Sequence, residues 1–470
     1  TRHTRPTPNK TNHMPATPFQ SLSSIPRWKS LRNSLRFAHN PITVLNENTQ
    51  HYGHTYRFHL GGFLPGILTT DPGLIQHILQ RQHRSWRKSP VQTERLGEFL
   101  GNGLLTSDGE YWLRQRRLIQ PGFHRARLEA LSGIMLKEVD DFLDNRFEPA
   151  IRKSTLVDLA PLMMELAFRV VAKSLFTTDL REEDVQLLSR NVTAIQAYIM
   201  RTLRQPYLMP WFRLSGQAHR HKELSRQSDL TIMRYIQARR QSGVRNDDLL
   251  QMLLDARYED TGQGMTDQQL MEEAAILFVA GHETTANALS WTWYLLSQHP
   301  SVVSRLREEF DSVLGGRPPV FADLPRLQYS MQVIEESMRL YPPAWITDRL
   351  AVEDNEYEGL FLPKGSRVVA YIYGVHHRPD LWPDPEAFRP ERFAREEKGA
   401  YHSFAYMPFG GGPRQCIGNN FALMEIQLIL LRMLSRYDME LDPGHEIGLE
   451  PLVTLRPRFG MRMIVKNRKK

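Results

Sequence analysis

Apolar positions recur at helical spacing over residues 27–52, and directly afterwards Tyr56, Phe58 and Leu60 alternate with polar neighbours, the period of a half-buried strand. Residues 67–70 read as a second short strand. Asp71 followed by Pro72 then opens a helix by the cap-then-proline rule, with Leu74, Ile75, Ile78 and Leu79 on its apolar face. From about 110 to 340 the period is almost wholly helical, interrupted at Pro121, at 206–210, around Gly243 and at 262–264. The longest pattern starts at Thr266, where Thr266 and Gln269 have capping-box spacing, and meets no proline until Pro300. A further helix begins near Pro300 and stops at Gly315–Gly316, and another stops before Tyr341-Pro342-Pro343. Strand-like segments follow at 344–373 and near 451–466. The pattern predicts a mainly α chain with a small β portion (α+β) assembled from both ends of the sequence.

Composition narrows this to one large globular unit. Hydrophobic residues make up 41% of 470, enough for a substantial core, and no long linker or fixed-period repeat divides the chain. Residues 1–25 are polar and rich in Pro, Thr and Asn, as in a disordered leader or a cloning remnant, so the domain is expected over 26–470. No apolar run reaches the ~18 residues of a membrane span, although an anchor or targeting segment upstream stays open. A net charge of +8 suits an anionic surface or an acidic partner, and no zinc-finger or RNA-recognition spacing points to nucleic acid. The basic runs Arg84-Ser-Trp-Arg-Lys88 and Arg114-Gln-Arg-Arg117 are expected as solvated faces.

The chemistry concentrates at one sulfur. Cys416 is the single cysteine, which excludes an internal disulfide and any several-cysteine cluster. It also agrees with a reducing cytoplasm. A bystander, a nucleophile and an axial thiolate on a haem iron remain. A bystander needs no special backbone, yet Phe409-Gly-Gly-Gly-Pro-Arg-Gln-Cys416-Ile-Gly418 supplies three glycines and a proline just before the thiol and a helix just after it. Such a loop lets backbone approach a flat ligand and aims amide groups at a sulfur anion.

A second cluster, Ala280-Gly281-His282-Glu283-Thr284-Thr285, interrupts the long helix with small and polar residues. Gly281 weakens a helix by about 1 kcal/mol relative to alanine, and Thr284 can bond back one turn, so a kink or widened turn is expected. A helix–helix contact built on Gly and Thr is the alternative. Glu336 and Arg339 stand three apart on one helix face, within ion-pair reach.

Together these motifs resemble the cytochrome P450 family of haem-thiolate monooxygenases, and the similarity runs from about residue 26 to the end. Phe409, Gly412, Arg414, Cys416 and Gly418 meet the family's cysteine-loop pattern in full. The resemblance implies haem b bound through Cys416 as metal ligand. It implies oxygen activation at Ala280, Gly281, Glu283 and Thr284, with Thr284 hydrogen-bonding the reacting oxygen and Glu283 relaying protons through water. Glu336, Arg339 and Arg392 become a buried structural triad. Trp112, Arg116, Arg349 and Arg414 become donors to the haem propionates, a task arginine suits better than lysine.

The same resemblance places a substrate pocket at 90–106, 190–215, Leu277, Phe278, Ala280, 344–347 and 452–454, with Trp345 narrowing it. Those residues are mostly apolar, which suits a fatty acid, terpenoid, steroid or other natural-product scaffold. It further implies a cytoplasmic monomer that takes two electrons from a ferredoxin or flavodoxin with its reductase, docked on a basic face near Arg114 to Arg117. The alternatives within this reading are a peroxide-driven hydroxylase or isomerase and a non-catalytic haem sensor.

Overall fold

Thr266 starts the element that organises the molecule. Its hydroxyl accepts from Gln269 N at 3.3 Å while its own N–H donates to Gln269 Oε1 at 2.9 Å, and the helix Asp267–Gln298 follows. At 1.5 Å per residue this central helix is roughly 48 Å long and crosses the domain. Pro300 opens the next helix, Pro300–Leu314, and Gly315, left-handed at φ 58°, ends it. Gln328–Leu340 stops before Pro342 as expected. The computed structural model describes residues 22–37, 39–177, 180–205, 208–397 and 399–468.

The helix expected over 27–52 is two helices, Arg27–Phe37 and Pro41–Tyr52. Pro41 has no N–H to continue the first, and the Asn40 side chain caps the second by accepting from Thr43 N at 3.2 Å. Of the expected leader, residues 1–21 lie outside the described residues. The rest of it is packed: Ile25 is buried and its N–H donates to Arg57 O at 2.9 Å.

The main sheet joins both ends of the chain. Its order is Thr55–Leu60, Leu64–Thr69, Arg367–Ala370, Thr347–Ala351, Trp86–Arg87, antiparallel throughout except where Leu64–Thr69 runs parallel to Arg367–Ala370. A second sheet sets Arg462–Asn467 between Leu156–Asp158 and Tyr437–Leu441. Leu156–Asp158 departs from the almost wholly helical reading of 110–340, because three residues are too short to show alternation. A hairpin, Leu449–Pro451 with Leu455–Pro457, stands beside the central helix, where Trp291 Nε1 donates to Leu455 O at 3.0 Å. Among the described residues no helix is long and apolar enough to cross a membrane.

The largest core cluster lies between the central helix, Leu159–Leu175, Arg125–Phe142 and Asn419–Arg436. Phe278 stacks there on Phe168 with ring centroids 5.5 Å apart. It therefore faces the core and not the substrate pocket expected for it, whereas its neighbour Leu277, about 100° round the helix, is only partly buried.

Candidate active site

The cysteine loop is shaped by backbone that only glycine tolerates. Gly410 and Gly412 are left-handed at φ 71° and 68°, and a Cβ on Gly412 would run into the Leu79 carbonyl. Cys416 N donates back to Phe409 O at 3.0 Å and closes the loop, and Gly418 hands the chain to the helix Asn419–Arg436. Cys416 is exposed, yet enough protein lies around it for burial to be the main influence on its acidity. Burial pushes the thiol up, while the Gly418 N–H and the Arg116 charge pull it back.

Arg116, expected on a propionate, is turned to the sulfur side: its Nη1 donates to Gln415 O at 2.8 Å and its charge acts on Cys416. Trp112, one turn earlier on Gly109–Ile119, is buried beneath two cations. The Arg414 guanidinium lies 5.0 Å and the Lys88 ammonium 5.8 Å from its ring centroid.

Those cations belong to a group that needs anions. Arg349 is buried, with Nη1 donating to Asp348 O at 2.7 Å and Thr347 Oγ1 at 3.2 Å, and Arg414 donates to His83 O at 3.1 Å and Asp108 Oδ1 at 2.8 Å. The Nε of each arginine is buried without a partner among the described residues. Lys88 Nζ donates to the carbonyls of Leu104, Leu105 and Ser107 at 2.8, 3.0 and 2.9 Å. Burial, then Arg349, pushes Lys88 down to about 7, and burial, then Arg414, pushes Arg349 down to about 10. Asp108, the carboxylate bonded to this group, spends one oxygen on Arg414 and the other on Lys88 N at 2.8 Å and does not cap its own helix. Crowded buried cations with orphaned donors fit a ligand carrying two carboxylates, as haem b does. The donor set therefore suits that cofactor: Cys416 would hold the iron, and Arg349, Arg414 and Lys88 would face the propionates.

Lys88 and Asp108 were not singled out from sequence, and Lys88 in particular was expected to be solvated. The signal was present: a strand beginning at Trp86 puts residue 88 on the same face as the tryptophan, which is fully buried.

Beneath the loop the expected ion pair is in place. Arg339 Nε donates to Glu336 Oε2 at 2.7 Å and Nη2 to Oε1 at 2.8 Å, both side chains fully buried, and Arg392 Nε adds a bond to Oε1 at 3.2 Å. Arg339 Nη1 donates to His376 O at 2.9 Å, and His376 Nε2 accepts from Met407 N at 3.0 Å, so the triad reaches the segment entering the cysteine loop. Burial, then the neighbouring His377 and Arg339, holds His376 well below the usual imidazole range, which keeps Nε2 a free acceptor.

On the central helix, Ala280 is exposed between buried Val279 and His282, which marks where the helix borders a cleft. Thr284, partly buried, donates to Ala280 O at 2.8 Å. The widened turn expected here is absent among the described residues, for Asp267–Gln298 is α-helical throughout. Gly281 has a packing reason instead: a Cβ there would sit 2.8 Å from Val171 Cγ2. Thr285 Oγ1 donates to Glu425 Oε2 at 3.3 Å, tying this region to the helix that follows Cys416.

Glu283 is buried and turned to the hairpin: Oε1 accepts Arg456 Nε at 2.6 Å and the Thr454 hydroxyl. Trp345 is buried too, its Nε1 donating to Leu452 O at 2.9 Å. It braces the hairpin.

The comparisons agree with this geometry. The family model for Cytochrome P450 matches residues 23–458. Cyclooctatin synthase of Streptomyces melanosporofaciens is 35% identical, over 90% of this chain and 91% of its own length. Cyclooctat-9-en-7-ol 5-monooxygenase of the same organism is 31% identical over 93% and 94%. Pentalenene oxygenase of Streptomyces avermitilis is 31% identical over 91% and 92%. With a cysteine loop, a cationic cradle and a buried Glu–Arg triad in one fold, and that match along nearly the whole chain, the protein belongs to the cytochrome P450 family of haem b monooxygenases.

Proposed function

We propose that this monooxygenase inserts oxygen into a C–H bond or alkene of a terpenoid hydrocarbon or alcohol, with electrons from a separate ferredoxin or flavodoxin. Haem b, bound through Cys416, supplies the reductive activation of dioxygen. Everything else falls to the chain. Arg349, Arg414 and Lys88 neutralise the cofactor's carboxylates, and Arg116 and the Gly418 N–H stabilise negative charge on sulfur. Thr284 offers a hydroxyl at the cleft beside Ala280, and Glu283, one residue away, is the carboxyl that exchanges protons with water there.

One observation carries the reading: the lone cysteine stands two residues from Arg414, whose buried Nε, like that of Arg349, has no partner among the described residues. The substrate class is supported by the relatives named for cyclooctatin and pentalenene, and by an exposed Ala280 that presents methyl rather than charge to the cleft. Exposed Arg114 and Arg117, on the helix carrying Arg116, support an acidic carrier docking on the cysteine side.

The test has two arms. The reduced, carbon monoxide-treated protein is expected to show a thiolate-type Soret band that Cys416→Ala abolishes; a pigment unchanged by that substitution overturns the assignment. Titration with pentalenene and with cyclooctat-9-en-7-ol is expected to shift the spin state, and turnover to require dioxygen and a reductase. A response to fatty acids alone, or turnover with peroxide alone, refutes the substrate or the electron route.

A further inference from the structure

We propose that Arg456, assisted by Thr454, is a positioning residue that fixes which oxygen of Glu283 can exchange protons. This rests on the role given to Glu283 above. Both residues belong to the hairpin, 171 and 173 positions along the chain from the acid.

The clamp is asymmetric. Arg456 Nε at 2.6 Å and the Thr454 hydroxyl both go to Oε1, and Oε2 is buried with no partner among the described residues. Asn287, one turn along the central helix from Glu283, donates Nδ2 to Thr454 Oγ1 at 2.9 Å. That bond occupies the acceptor side of the hydroxyl and leaves its proton for Glu283. The hairpin itself cannot drift, since Trp291 Nε1 holds Leu455 O at 3.0 Å, Trp345 Nε1 holds Leu452 O at 2.9 Å, and Leu455 N donates to Pro343 O at 3.0 Å.

Consecutive residues on an α-helix diverge by about 100°, so Glu283 does not follow Thr284 into the cleft unaided. A buried carboxylate without a cation would abandon its charge or its position. With Oε1 bound twice, Oε2 is the atom left to take a proton from solvent and then pass it on to water. The arginine does not touch the reacting atoms; it acts through the acid.

The experiment uses the haem-loaded full chain without substrate. Wild type, Arg456→Gln, Arg456→Lys, Glu283→Gln and the double variant Glu283→Gln/Arg456→Gln are prereduced, mixed with oxygenated buffer in H2O and D2O, and followed optically as they reoxidise. Arg456→Gln is expected to slow reoxidation by about tenfold and raise the H2O/D2O rate ratio, as Glu283→Gln does. Arg456→Lys should restore part of both, and the double variant should match Glu283→Gln.

Thermal melting supplies a second readout. Arg456→Gln alone should lower the melting temperature, and adding Glu283→Gln should recover it, because the stranded carboxylate is the costly group. Should Arg456→Gln fail to retain haem, Thr454→Val carries the same comparison with a smaller effect. A wild-type rate and isotope ratio in Arg456→Gln, with Glu283→Gln altered, overturns the positioning role. An unaltered Glu283→Gln overturns instead the acid's part in the proposed function.

Discussion

Glu336 and Arg339 meet in a two-bond ion pair from which water is excluded, at 2.7 and 2.8 Å with neither side chain exposed. Taking two charges out of water costs several kcal/mol per ion, so the pair persists only because each group is satisfied further. Glu336 also accepts Arg389 N at 3.0 Å, and Arg339 also donates to His376 O and Ala387 O. Arg339→Met should therefore cost about 3–5 kcal/mol by leaving a buried charge incompletely paired. Haem content should fall with it, because His376 links this layer to Met407. Arg392→Gln, which removes a 3.2 Å bond to Glu336 and a 2.8 Å bond to Asp384 O but leaves Arg339 to hold the buried carboxylate, should cost markedly less. Denaturant titration of the three proteins at equal haem loading measures the difference.

Gly281 and Val171 set the spacing of two core helices. A methyl at 281 would lie 2.8 Å from Val171 Cγ2, and a β-branched neighbour cannot rotate away cheaply. Overpacking costs about 1–3 kcal/mol, whereas Gly→Ala in a helix gains about 1 kcal/mol, so the steric term wins. Gly281→Ala is expected to lower stability by about 1 kcal/mol. Val171→Ala in the same chain should turn that loss into a gain, and a thermal double-mutant cycle would show the coupling.

Local signals predicted the frame well. The capping box at Thr266, the stop at Gly315 and the turn signature around Cys416 each depend on residues a few positions apart, and each appears as read. Legibility failed where partners lie far apart. Glu283 announced itself as a polar residue in a buried helix, but Arg456 had nothing in its own neighbourhood to mark it as the partner. Phe278 and Trp345 fell on plausible pocket positions, and only packing against Phe168 and bonding to Leu452 show that they serve the core and the hairpin. Lys88 was hidden by its basic neighbours, since a run of charges conceals the alternation of a two-residue strand.

Glu273 gives the molecule a pH response separate from its chemistry. It is buried on the central helix, one oxygen accepting Leu104 N at 3.0 Å and the other without a partner among the described residues, and burial pushes it from 4.5 up to about 7. The folded state therefore holds this proton between those values while the unfolded chain releases it, and stability falls as pH rises through that window. Glu273→Gln keeps an acceptor for Leu104 and has no proton to lose. Its stability relative to wild type should be near parity below pH 4.5 and rise towards pH 7, reaching about 3 kcal/mol at most. Melting curves of both proteins across that range test the sign; a difference independent of pH would contradict it.

Thr284 separates function from stability. Its hydroxyl donates to Ala280 O, a carbonyl already within the helical ladder, so the bond adds little to folding and mildly disfavours the helix. Thr284→Ala trades it for a residue of better helix propensity, and stability should be unchanged or rise by a few tenths of a kcal/mol. Haem binding should persist, because no donor to the cofactor is altered. What should change is the fate of electrons: without the hydroxyl at the cleft beside Ala280, more dioxygen should leave as hydrogen peroxide and less oxygen should reach product. Peroxide and product measured per reducing equivalent, with a surrogate ferredoxin and its reductase, give the ratio. An unchanged ratio at full haem loading would remove Thr284 from the oxygen chemistry and leave it a helix residue beside a cleft.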